Sequence, residues 1–191
     1  IFKHRSVTLS SVQDFWKGKV GYQEFPCVAN AGTTAVFTAS GEVFEDWNAR
    51  SATNANDHLP YVKQKKNIAL IMYRPEFVAP IFPFQNKDVA LHWKNGDFDE
   101  VQTDSLWLIG RQGNGYVAAR RYTLDTINNV AACHYTTDGQ AYVIIVGDSE
   151  MYSSFNDFQS LIHQSQFSEE RYYDSINNLS VYYAKIVFDT T

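Results

Sequence analysis

The chain has 191 residues, 45% of them apolar and 19% charged, with a net charge of −5. That length buries a sizeable core in one domain, and the composition is that of a folded protein rather than a low-complexity chain. It carries no basic stripe to neutralise a phosphate backbone, which excludes nucleic acid as a partner, and no apolar run as long as a membrane span.

The first segment with chemical content is "SSVQDFWKGKVGYQEF" (10–25). It gathers Gln13, Asp14, Trp16, Lys17, Tyr22, Gln23 and Glu24 around two glycines. An aromatic platform with planar hydrogen-bonding side chains suits a sugar site, and the same residues suit an ordinary turn. "TTAVFTA" (33–39) follows as a strand. Residues 41–60, "GEVFEDWNARSATNANDHLP", have no periodicity and are rich in Asn, Ala and Ser. Long connections of this kind are either surface chain or functional loops. This one holds Trp47, Arg50, Asn54, Asn56 and His58 together. Lys63, Lys65 and Lys66 form a short basic cluster that reads as a solvated edge.

Strand signals then dominate: "NIALIMY" (67–73), "DSLWLIGR" (104–111), "GYVAARRY" (115–122), "AYVIIVGD" (141–148) and "LSVYYAKIVF" (179–188). They come in close succession with no intervening helical pattern, which predicts antiparallel pairing rather than βαβ units. The glycines of "GRQGNGYVAARR" (110–121) lie after a strand, as a phosphate loop requires, but another strand follows where a helix is needed. They predict a hairpin, with Gly113-Asn114-Gly115 at its turn. "NGDFDEVQTD" (95–104) lacks the central glycine and terminal glutamate of a calcium loop and reads as a solvated acidic turn. One helix is predicted over 153–168, with Phe155, Phe158, Leu161 and Ile162 on one face, Ser154 and Asp157 as a capping pair, and His163 half-exposed beside the apolar stripe.

Cys27 and Cys133 fit no metal spacing; they form one disulfide or remain two buried thiols. His4, His58, His92, His134 and His163 show no metal-ligand spacing either. No cofactor or metal is expected, with a structural divalent ion left open. The fold predicted is an all-β antiparallel β-sandwich with one α-helix near the C-terminus, a single domain over 1–191.

Four segments together resemble the C-terminal β-sandwich domain of bacterial heparinase II/III-like proteins, which are polysaccharide lyases and their relatives. They are "LSSVQDFWKGKVGYQEFPCVA" (9–29), "WNARSATNANDHLPYVKQKKNIALIMY" (47–73), "DEVQTDSLWLIGRQGNGYVAARR" (99–121) and "VIIVGDSEMYSSFNDFQSLI" (143–162), in the same order along nearly the whole chain. The pattern departs at Tyr61, where arginine is expected, and at Phe25-Pro26. The resemblance implies an extracellular or periplasmic protein acting on acidic polysaccharide, with this domain excised from or attached to a larger chain. An α/α-toroid domain of the same parent would supply much of the catalytic apparatus, so the isolated domain is expected to be inactive. Abstracting the proton beside a uronate carboxylate needs a base and a carboxylate neutraliser. In a glycan cleft, Tyr22, Trp47 and His58 would contact sugar, with Glu24, Asn54 and Asn56 beside them. Arg50 and Lys63 would pair with carboxylates or sulfates. A stand-alone carbohydrate-binding or adhesion module and a purely structural sandwich are the alternatives.

Overall fold

A computed structural model describes residues 1–12, 25, 27–40, 60–73, 89–104, 106–120, 125–127, 130–133, 140–174 and 179–188. In chain order the strands begin with β1 (Phe2–His4), β2 (Val7–Ser11), β3 (Cys27–Ala31), β4 (Thr34–Ser40), β5 (Tyr61–Lys65) and β6 (Ile68–Tyr73). There follow β7 (Val89–Lys94), β8 (Glu100–Thr103), β9 (Trp107–Gln112), β10 (Gly115–Arg120), β11 (Asp125–Ile127), β12 (Val130–Cys133) and β13 (Gln140–Asp148). Helix α1 (Phe155–Gln164) and the hairpin β14 (Gln166–Asp174) and β15 (Leu179–Val187) complete the order.

Two antiparallel sheets stack face to face. One runs β1-β2-β3-β4-β7-β12-β11 and the other β5-β6-β13-β10-β9-β8. The core between them follows from alternation along each strand. Val7 and Leu9 of β2, Ala29 and Ala31 of β3, and Leu91 and Trp93 of β7 face Ile71, Tyr73, Val117, Tyr142 and Ile144 of the other sheet. This is the predicted sandwich. Thr38 and Tyr73 hydroxyls meet at 3.0 Å inside it, tying β4 to β6.

The second sheet is covered on its outer face too. Trp107, Ile109, Tyr116, Val143 and Ile145 pack there under Phe155, Phe158 and Ile162 of α1 and against Phe167 and Ile186 of the β14–β15 hairpin. A strand buried on both sides loses its polar alternation. That is why "AYVIIVGD" is apolar almost throughout and buried from Ala141 to Asp148. Among the described residues, no helix is long and apolar enough to cross a membrane.

Two boundaries differ from the sequence reading. The helix, expected over 153–168, stops at Gln164: Ser165 is extended (φ −67°, ψ 140°) and Gln166 opens β14. Its start is as expected, with the Ser154 hydroxyl accepting the Asp157 amide at 3.1 Å. The acidic segment 95–104 is only partly a turn. A single 3-10 turn spans Asn95–Asp97, and Glu100–Thr103 is β8, an edge strand paired with β9. The glycine cluster makes the predicted hairpin. Gly115 pairs with Gln112, leaving Gly113 (φ +59°) and Asn114 as the turn, the sign pattern of type II′ with glycine first.

Cys27 is a free, buried thiol. Its strand lies three neighbours from that of Cys133 in the order β3-β4-β7-β12. Three strand spacings come to about 14 Å, roughly twice the reach of a disulfide.

Candidate functional site

Antiparallel order sorts the connections by length. Tight turns close β1–β2, β3–β4, β5–β6 and β9–β10 at one end of the sandwich. The opposite ends of the strands carry the long connections. There Ser40 pairs with Val89, Val89 with Cys133, and Tyr73 with Gln140, while Ser11 pairs with Cys27. The two stretches singled out for glycan contact, 13–24 between β2 and β3 and 47–63 running from the β4–β5 connection into β5, are therefore both anchored on this end. Tyr22, Glu24, Trp47, Arg50, Asn54, Asn56 and His58 themselves lie outside the described residues.

Lys63 is described. It projects from β5, an edge strand of the second sheet, and is exposed. β5 alternates: Val62 enters the core and Gln64 turns inward, whereas Tyr61, Lys63 and Lys65 share the outward row. Gln64 is the strand's anchor. It accepts the Ser11 hydroxyl at 2.5 Å and donates to the Leu9 carbonyl at 3.1 Å and the Lys66 carbonyl at 2.8 Å. Lys66 then takes the first turn position with φ +52°. The other face of that turn is fixed by Asn67, which donates its side-chain amide to the Val146 carbonyl at 2.7 Å and accepts the Val146 amide at 3.0 Å.

The tight-turn end holds a constellation that the sequence did not announce. Asp148, 1% exposed, lies at the end of β13. One carboxylate oxygen accepts His4 Nδ1–H at 2.6 Å and the Ser6 amide at 3.4 Å; the other accepts the amides of Glu150 and Met151, each at 3.1 Å. Burial pushes its pKa up, but these hydrogen bonds outweigh burial and leave it below the ordinary carboxylate range. An ionised Asp148 requires the proton on Nδ1, so it fixes the tautomer of His4. Beside it Arg5 pairs with Glu150 at 2.5 Å. The partners stand 144 residues apart, so no local spacing could reveal them. The signal available was the "GDSE" stretch (147–150), a turn-former after an apolar run.

The remaining chemical candidates resolve into structural pairs. Asp97 pairs with Lys94 at 3.3 Å, Glu100 with Arg111 at 3.3 Å, and Asp99 with Arg111 at 3.7 Å while accepting the Gly113 amide at 2.7 Å. Asp104 accepts the Leu106 and Trp107 amides at 2.6 and 2.7 Å and meets His163 Nδ1 at 3.1 Å, so the helix histidine ties α1 to the β8–β9 turn. His92 stacks on Phe37 at 4.5 Å. Burial pushes the Cys27 thiol up to about 12, far from a reactive thiolate. Among the described residues, no group of three His, Cys, Asp or Glu is placed to hold a metal ion. No family model, curated protein or solved structure matches the chain.

Proposed function

We propose that the chain is a glycan-binding β-sandwich that contributes one wall of an acidic-polysaccharide cleft in an extracellular or periplasmic heparinase-like protein. An α/α-toroid of the same parent would form the opposite wall and carry most of the catalytic apparatus. The observation that carries this reading is the anchoring of 13–24 and 47–63 on one end of the sandwich, the end that carries its long connections. Function concentrates on loops that a rigid sandwich holds together. Among the described residues, the exposed large apolar side chains Ile1, Val12 and Leu106 flank the strand ends on that side: Ile1 precedes β1, Val12 follows β2 and Leu106 lies between β8 and β9. Lys63 adds a cation two residues into β5.

The test is calorimetric titration of the purified chain with heparin-derived and polygalacturonate oligosaccharides. Binding is expected, with Trp47→Ala or Arg50→Ala lowering affinity about tenfold, the scale of one lost aromatic or charge-assisted contact. Absence of binding to both oligosaccharides would overturn the reading. A stand-alone binding module differs from a cleft wall in its parent: a full-length protein that cleaves uronate glycans by elimination selects the cleft.

A further inference from the structure

We infer that the outward row of β5 and its turn, Tyr61, Lys63, Lys65 and Lys66, is a binding track for a short acidic oligosaccharide lying along the strand. The inference rests on the glycan reading above and places part of its contact surface.

Three observations carry it. The first is charge. Arg5, Lys94 and Arg111 all stand against carboxylates, at 2.5, 3.3 and 3.3 Å. Among the described residues, Lys63, Lys65 and Lys66 stand against no carboxylate, as do Lys3 and Lys185, but these three gather on one strand and its turn, although acids outnumber bases in the chain. The second is spacing. Lys63 and Lys65 share a face at about 7 Å, the repeat of alternate strand residues, and Tyr61 is the next member of the row. A cation pair in line with an aromatic ring suits a chain of anionic sugars, whose ring faces stack on tyrosine.

The third is backbone strain. The hairpins β3–β4, β5–β6 and β9–β10 each close with two residues, and in each the first has positive φ: Gly32 (+56°), Lys66 (+52°) and Gly113 (+59°). Glycine takes this conformation freely and lysine does not. Gln64 and Asn67 hold the turn from both sides, which is how a strained residue persists. A cation thus stands where the backbone favours glycine, at the end of a row of cations. Solvation alone would be served by lysine at an unstrained position. A nucleic acid fits less well, since its affinity comes from many phosphate contacts and the protein's net charge of −5 opposes it.

The experiment compares wild type, K65Q/K66Q and K66G for binding of heparin-derived and polygalacturonate oligosaccharides, with duplex DNA as competitor. The lysines are exposed, and circular dichroism checks the fold of each variant. K65Q/K66Q is expected to lose about tenfold in affinity, roughly threefold for each exposed contact. K66G is expected to lose about threefold while its Tm rises by about 2 °C, because strain is relieved as a contact is lost. Wild-type affinity in K65Q/K66Q, with binding weakened about tenfold by Trp47→Ala, overturns the track and leaves the glycan reading standing. No binding by the wild type overturns both. A Tm that stays level or falls in K66G removes the strain argument and overturns the assignment of Lys66. Duplex DNA bound more tightly than either oligosaccharide overturns the choice of ligand.

Discussion

Asp148 carries a charge in a place that excludes water, and four donors make that tolerable. Two of them, His4 and Ser6, belong to the opposite sheet, so the carboxylate joins the end of β13 to the β1–β2 turn. Removing it leaves buried amides without an acceptor. Asp148→Ala is expected to destabilise the protein by about 3 kcal/mol at neutral pH, within the range for a broken buried charge network. Urea denaturation measures this. Its pH dependence has a definite sign. The folded pKa lies below the unfolded one, so the contribution is complete above the ordinary carboxylate range. It is lost as pH falls through that range towards the lower folded value. Stability of the wild type should therefore drop more steeply on the acid side than that of Asp148→Asn, whose amide does not titrate. Equal slopes would show that Asp148 is not held ionised. None of this was legible in the sequence, because His4 and Asp148 meet only through the stacking of the two sheets.

At the scale of elements, what the sequence reveals depends on how a strand is buried. β6, β9, β10 and β13 lie side by side in the second sheet, where one or both faces are covered, and their apolar runs were recognisable. β2, β3, β5 and β8 were not. "VTLSS", "CVANA", "YVKQK" and "EVQT" each send only one to three side chains inward, and their polar outer residues resemble loop. The predicted helix takes in the first three residues of β14, Gln166 to Ser168, since they continue a polar run and the extended Ser165 marks the break. The sheets are joined in the core by a contact that alternation cannot predict, Thr38 to Tyr73. Tyr73→Phe keeps the ring against Tyr142 and removes that hydroxyl. It should cost about 1 kcal/mol, the net worth of one buried hydrogen bond. Thr38→Val alone should cost a similar amount. The double variant should cost less than the sum, because the two hydroxyls bond each other and each single variant already removes that bond. Additive losses in thermal unfolding would place the stabilisation elsewhere.

For the whole molecule, the decisive feature is the third layer. A two-sheet sandwich usually leaves its outer faces polar, yet the second sheet presents Trp107, Ile109, Tyr116, Val143 and Ile145 outward. These residues are 0–4% exposed only because α1 and the β14–β15 hairpin lie over them. Phe158 sits at the centre of that cover, against Tyr116 at 5.5 Å and Tyr152 at 5.1 Å. The C-terminal segment is thus part of the fold and not an appendage. Ending the chain after Ser153 would bare five large apolar side chains on one sheet face, a patch of the size that drives association. The shortened chain should be insoluble, or soluble only as aggregates that bind a hydrophobic dye. Phe158→Ala in the full chain should be milder, a loss of about 4 kcal/mol with the fold retained, as for an aromatic removed from a packed core. A shortened chain that stays monomeric, with the near-ultraviolet circular dichroism of the parent, would mean that the two sheets fold without their cover. Its solubility would then have to come from the first sheet and the connections, and the apolar outer face would be a surface able to receive a partner. The packing of Phe155, Phe158 and Ile162 into that face argues for the opposite result, because an intramolecular cover outcompetes any partner at ordinary concentrations.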